Sequence, residues 1–184
     1  PGRRCCAPAQ TGWTAPQQRL VIFRFDRRIL TAPWLRRARV RPPYEVVSWG
    51  GVSEDELERV RIRQQSQASI PEYLLPFEKD DSLHTTISVG LRFNGELIGW
   101  MLGHSVSPDT VRYTKLFVEG GFEGSKLLAM GLIAEAIRRQ VCAIGPNSYV
   151  ICGVRSENQA AIRLLQRLGP ESVRESRIVF RVFR

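Results

Sequence analysis

The feature that most constrains this 184-residue chain is a β-like segment that runs through a glycine-rich loop into a long apolar helix, over residues 111–140. Residues 111–118 (VRYTKLFV) are rich in β-branched and aromatic side chains, as a strand requires, and Gly120-Gly121 ends them. The periodicity from 122 to 140 predicts a helix. Its most apolar part, 127–137, is interrupted by Gly131 and Glu135, so it reads as a buried amphipathic helix. No stretch of 18 apolar residues exists, which excludes a helical membrane span. A glycine loop lets backbone amides approach a ligand closely, and a helix N-terminus adds unpaired N–H groups and a positive dipole end. The amides of Gly124, Ser125 and Lys126 are therefore candidates to hold an anion such as pyrophosphate, with the Ser125 hydroxyl and the Lys126 charge beside them. The simpler alternative is a turn that only joins strand to helix. The loop lacks the Gly-Lys-Ser/Thr order of a nucleotide P-loop and any Gly-x-Gly-x-x-Gly.

Around this unit the chain alternates in a regular way. Residues 44–49 form a first strand ended by Gly50-Gly51, and Ser53 with Glu56 makes a Ser-x-x-Glu capping box for a helix over 54–67. Leu57 and Val60 face inward on that helix. Its charges over 54–63 read as a solvated face with i,i+4 pairs. Residues 71–77 suggest a second short helix or turn. Strands over 86–93 and 97–105 flank Asn94-Gly95, the strongest hairpin signal present. Ser107-Pro108-Asp109 turns the chain into 111–118. A strand over 149–154, a helix over 157–168 ended by Gly169-Pro170, and one long or two short strands over 172–183 complete the order β-α-α-β-β-β-α-β-α-β. That order predicts an α/β (α+β type) fold: a mixed, mostly antiparallel central sheet with helices on both faces.

A second motif lies about thirty residues after the glycine loop. The strand over 149–154 leads into Ser156-Glu157-Asn158-Gln159-Ala160-Ala161-Ile162, and then Leu168-Gly169. Two patterns are matched in order and spacing: a strand-ending Val118 with Gly124 six residues on, and Asn158-x-x-Ala161 before an apolar helix and Gly169. On these residues, roughly 44–184, the sequence resembles the GNAT superfamily of N-acetyltransferases. The loop departs from the usual Arg/Gln-x-x-Gly-x-Gly/Ala, with Glu123, Lys126 and Leu128 at those places, and Leu165 stands where the family often has the Tyr that protonates the leaving thiolate.

The resemblance implies acetyl-CoA as co-substrate, lying in a splay between the strands over 111–118 and 149–154. The backbone of Phe117 and Val118 would pair with pantetheine, the loop residues Glu123, Gly124, Ser125 and Lys126 would surround the pyrophosphate, and Asn158 would contact the cofactor or fix its loop. It implies direct attack by an unidentified amine, helped by a base and by donors to the oxyanion. Glu119 at the strand end is the first candidate base and Tyr113 the second, with His104 behind them. The resulting expectation is an acyl-CoA-dependent N-acyltransferase. The alternative is a GNAT-like domain that has lost turnover and serves as a ligand- or protein-binding module. Trp49, Trp100 and Met101 are expected in the core or lining a pocket.

Charge and cysteines narrow the partners. The formal net charge is +9, but residues 1–43 carry ten Arg and one acid, Asp26, while 44–184 are balanced at 17 and 17. The excess reads first as an Arg-rich composition, with 24 Arg against three Lys, and second as an arm for phosphate backbones. A nucleic-acid partner is thus not the leading expectation, and neither is a membrane. Four cysteines and two histidines give no zinc spacing, so no metal is expected, and Cys142 and Cys152 read as buried structural thiols. With no secretory apolar region and no Asn-x-Ser/Thr, the expected setting is cytoplasmic. The chain starts with Pro, which suggests a fragment or processed form. Residues 1–43 are expected to be a basic tail, a strand over 19–25 and a linker, with 44–184 as the domain. The strand RLVIFRF at 19–25 echoes RIVFRVF at 177–183, as the end of a preceding copy of the domain would.

Overall fold

Among the described residues, seven strands form one sheet in the spatial order β2-β3-β4-β5-β6-β1-β7. The strands are β1 (Gln17–Phe25), β2 (Tyr44–Ser48), β3 (Val89–Phe93), β4 (Glu96–Ser107), β5 (Thr110–Val118), β6 (Tyr149–Arg155) and β7 (Val173–Arg181). Four α-helices among the described residues accompany them: α1 (Pro33–Arg37), α2 (Glu54–Gln67), α3 (Ser125–Ala143) and α4 (Gln159–Leu168). This computed structural model describes residues 17–67, 69–77, 80–122, 124–168 and 173–181, with backbone alone for 17–19 and 173–181. The expected ends at Gly169-Pro170 and beyond 181 lie outside the described residues.

Every strand pair is antiparallel except β5 with β6, which the crossover helix α3 makes parallel. The mixed, mostly antiparallel sheet read from the sequence is the one observed. Asn94 and Gly95, at φ 50° and 79°, make the two-residue β3–β4 turn, a conformation that these two residue types adopt at low cost. Each face of the sheet buries its own core. Phe23, Val89, Met101, Val111, Leu132 and Ile137 pack between sheet and α3. Trp49, Val60, Leu97, Trp100 and Leu102 pack under α2.

Helix α2 starts as its capping box requires: the Ser53 amide donates to Glu56 Oε2 at 2.9 Å, and the Glu56 amide to Ser53 Oγ at 3.3 Å. Its charges are not all solvated, however. Glu56 is buried, and it takes two hydrogen bonds from Arg92 of β3, at 2.7 and 2.9 Å. Arg63 reaches across to the Leu97 carbonyl. Among the described residues, Glu58 and Arg61 alone keep the exposed pairing along the helix, three residues apart. Cys142 also differs from expectation, being exposed. It lies two residues past the buried Gln140, roughly 200° round the helix and so away from the sheet.

The largest difference concerns the N-terminal quarter. β1 inserts between β6 and β7, antiparallel to both, with Phe23 opposite Cys152 and Leu20 opposite Val179. The echoing segments 19–25 and 177–181 are therefore neighbours in one sheet. After β1, residues 27–40 strap across α3. Arg138 donates to the Leu35 and Ala38 carbonyls at 2.6 and 2.7 Å, and Trp34 Nε1 donates to the Leu168 carbonyl at the end of α4. Gly131 makes the crossing possible, because a Cβ there would lie 2.7 Å from Val40 Cγ2. The sheet and its core thus run across the expected boundary at 43/44. A strand and strap that bury Phe23, Phe25, Ile29 and Leu35 belong to the same fold as the rest.

Candidate active site

Parallel pairing between β5 and β6 holds only from Thr110↔Tyr149 to Tyr113↔Cys152. Beyond that register the two strands part, although β5 continues to Val118 and β6 to Arg155. A β-bulge lies at the parting point. On the β4 side, Gly103 pairs with Tyr113 and Leu102 with Lys115, so Thr114 is the extra residue. Gly103 fits this arrangement, since a Cβ there would meet the Tyr113 ring at 3.1 Å. The bulge also switches the face on which alternate side chains fall. Val111, Tyr113, Leu116 and Val118 pack towards α3, whereas Phe117 packs on the α2 side against Trp100, ring centroids 4.8 Å apart. Lys115 turns to the α2 side as well, donating from Nζ to the Leu75 carbonyl at 2.6 Å.

The parting opens a cavity of about 420 Å³, lined mostly by apolar side chains. One wall is Tyr113 to Leu116 of β5, and the opposite wall is Cys152 to Arg155 of β6. Asn158, Ala161 and Leu165 come from the start and middle of α4, and Tyr73 with Leu74 from the short 3-10 turn Glu72–Leu74 on the α2 side. The described charged groups on the lining are Lys115 and Arg155. Arg155 lies over the Tyr73 ring, 3.9 Å from its centroid.

The residues singled out in the sequence are distributed unevenly about this cavity. Tyr113 lines it, but its hydroxyl donates to Gln140 Oε1 at 2.9 Å, and burial, with Cys152 second, pushes the phenol above its usual range. Glu119 is outside the lining, 3.9 Å from Arg63, while its amide donates to the Ile98 carbonyl. Asn158 lines the cavity and caps α4, accepting from the Ala161 amide at 3.0 Å. Phe117 and Val118 pair with Trp100 and Gly99 of β4, which leaves the other edge of β5 without a strand partner beyond Tyr113 among the described residues. Gly124 is the left-handed cap of α3, at φ 72°, and its carbonyl accepts from the Leu127 and Leu128 amides. The Ser125 amide donates to Phe122, and Lys126 is exposed on the first turn of α3. Glu123 lies outside the described residues. Trp49 and Trp100 are core, and Met101 both core and lining.

Two groups escaped the sequence reading. Lys115 and Thr114 carried no signal, because a bulge cannot be read from a strand's composition. His104 is buried, with Nδ1 3.0 Å from Thr114 Oγ1 and Nε2 3.6 Å from Asp80 Oδ2. Asp80 is held below the usual carboxylate range, first by the amide and hydroxyl of Ser82 and then by His104 and Arg112. Burial pushes the Cys152 thiol up to about 12. Among the described residues, no group of three His, Cys, Asp or Glu could hold a metal ion, and no helix is long and apolar enough to cross a membrane.

A mixed sheet with one splayed parallel pair, a crossover helix behind it and a cavity in the splay defines an α/β architecture of a known kind. No protein-family model matches the sequence, and no curated relative does. Solved structures do match. A tandem GNAT protein from the clavulanic acid biosynthesis pathway, solved without AcCoA, superposes with a TM-score of 0.63 at 14% identity, covering 96% of this chain and 56% of that one. A GCN5-related N-acetyltransferase from Sphaerobacter thermophilus gives 0.58 at 16% identity, over 95% and 52%. One from Kribbella flavida gives 0.52 at 13%, over 93% and 58%. The chain has the fold of the GNAT superfamily of N-acetyltransferases. It spans between about half and three-fifths of the length of these matched proteins.

Proposed function

We propose that this chain is an acyl-CoA-dependent N-acyltransferase that moves acetyl from acetyl-CoA to an amine acceptor. The observation that carries the reading is the parting of β5 and β6 after Tyr113↔Cys152, with a cavity of about 420 Å³ in the gap. An extended pantetheine arm can complete the free edge of β5 as a pseudo-strand, taking main-chain hydrogen bonds from Leu116 to Val118. The glycine loop and the first turn of α3 lie at the end of that edge. Gly124 and Lys126 present amides, a positive helix end and one cation to the pyrophosphate, Ser125 offers its hydroxyl, and Glu123 precedes Gly124 in the chain. Asn158, fixed as the cap of α4, holds the facing wall. The acceptor nitrogen attacks the thioester carbonyl; the C–N bond forms, the C–S bond breaks and CoA leaves as the thiolate. In this reading main-chain donors on the β5 edge stabilise the oxyanion. Leu165 brings no hydroxyl, so the thiolate takes its proton from another donor.

The alternative, a GNAT-like binding module without turnover, draws on two placements: Glu119 faces Arg63, and the Tyr113 hydroxyl is committed to Gln140. Binding and turnover are separated by two measurements. Calorimetric titration of acetyl-CoA is set against Gly153→Leu. Gly153 lines the cavity, a Cβ there meets nothing within 4 Å and its backbone is outside the left-handed region, so a side chain is added to the lining without strain. Expected is binding by the parent and its loss in the variant. Absence of binding by the parent, or binding unaltered by the variant, refutes the site. Thiol release across a panel of primary amines then distinguishes the enzyme from the binding module.

A further inference from the structure

The buried imidazole beside the splay lies between a cavity-lining hydroxyl and a carboxylate. His104 is on β4, on the α2 side of the sheet with Trp100 and Leu102, and 5% exposed. Its Nδ1 meets the hydroxyl of Thr114, the bulged residue that itself lines the cavity. Its Nε2 looks outward to the Asp80 carboxylate. A negative charge on that side favours the tautomer with N–H on Nε2, which turns the Nδ1 lone pair to Thr114. We propose that Thr114 and His104, with Asp80 behind the imidazole, form the proton-accepting relay of this site; the inference rests on the acyl-CoA reading above. Thr114 Oγ1 takes a proton from the attacking nitrogen as it gives its own to His104 Nδ1. The C–N bond forms, the C–S bond breaks, and the imidazolium is neutralised in place by Asp80 until it releases the proton to the thiolate or to water. No proton or electron is left over. Thr114 is the group that touches the substrate, and His104 and Asp80 act through it. The described charged groups beside the imidazole are Asp80 from the loop before β3 and, on β5, its register partner Arg112 and the nearby Lys115.

The chain has two histidines, so His84→Gln leaves a single imidazole to observe by ¹⁵N NMR in the full-length protein. Expected are the Nε2–H tautomer, a shift of the Nδ1 resonance in Thr114→Val that Thr114→Ser does not show, and a lowered imidazole pKa in Asp80→Asn, by ~0.5 unit or more. In thiol release with a primary amine, Thr114→Val is expected to lower kcat by about 100-fold or more and to move the acidic limb of the pH profile, with acetyl-CoA affinity within about twofold of the parent and Thr114→Ser near it. An Nδ1–H tautomer overturns the relay. So does a Thr114→Val protein whose imidazole resonance and pH profile match the parent's while it still binds acetyl-CoA. A chain that shows the expected tautomer but neither binds nor cleaves acetyl-CoA refutes the acyl-CoA reading, and the relay with it.

Discussion

Glu56 gives the sharpest stability test, because its surroundings set a magnitude. Its carboxylate is buried and takes both Arg92 hydrogen bonds, and the amide and hydroxyl of Ser53 donate to it as well. These groups, Arg92 foremost, hold it down from 4.5 to about 2 against the opposing effect of burial, and Arg92 is raised in turn. A group depressed in the folded state stabilises it fully above the unfolded pKa, and loses that contribution as pH falls through the folded one. At neutral pH the shift corresponds to roughly 3 kcal/mol, and by pH 3 to roughly 1.5 kcal/mol. Glu56→Gln keeps an oxygen for the Ser53 amide, so the helix cap survives while the titration is removed. Urea unfolding of parent and variant at pH 7, 5, 4 and 3 reads the difference between them. The expected gap is largest at pH 7 and narrows by roughly 1.5 kcal/mol at pH 3; groups such as Asp80 and Asp109 titrate in both proteins and cancel. A gap that stays constant to within about 0.5 kcal/mol, as a surface pair would give, refutes the claim that the buried pair holds this carboxylate charged.

Other perturbations follow from close contacts and burial. Gly99→Ala puts a Cβ 2.8 Å from the Phe117 carbonyl oxygen and 3.2 Å from Val118 Cα, so β5 itself must move. Expected are a loss of about 1–3 kcal/mol in urea unfolding and weaker acetyl-CoA binding, and a variant as stable as the parent contradicts the packing. Iodoacetamide at pH 8, followed by peptide mass mapping, is expected to modify the exposed Cys142 and to spare Cys152. With its thiol pushed up to about 12, Cys152 is thiolate in only about one part in 10⁴ at that pH; comparable labelling of both contradicts the raised pKa.

Much of the fold was written in local pattern. Asn94-Gly95 fixed the β3–β4 hairpin, Ser53 with Glu56 began α2 at Glu54, and the apolar run after Gly124 became α3 behind the sheet. Each of these depends on neighbours within a few residues, which is why periodicity and capping chemistry reveal them. The place of the glycine loop, between a parallel strand and a crossover helix, was legible for the same reason. What the sequence could not state was set by contacts between distant segments. A composition of Arg and Pro made residues 27–43 resemble a linker. Gly131 and Arg138, about a hundred residues away, hold that segment on α3 and leave β1 between β6 and β7. Alternation along β5 put Lys115 on one face with Val111 and Tyr113. The bulge at Thr114 reverses the phase, sends Lys115 to the α2 side and leaves Thr114 between His104 and the cavity. A strand's period of two is a local property, whereas the point at which it slips depends on what its neighbours admit. Here Gly103 beside the Tyr113 ring and the parting from β6 determine it, and only the assembled sheet contains both.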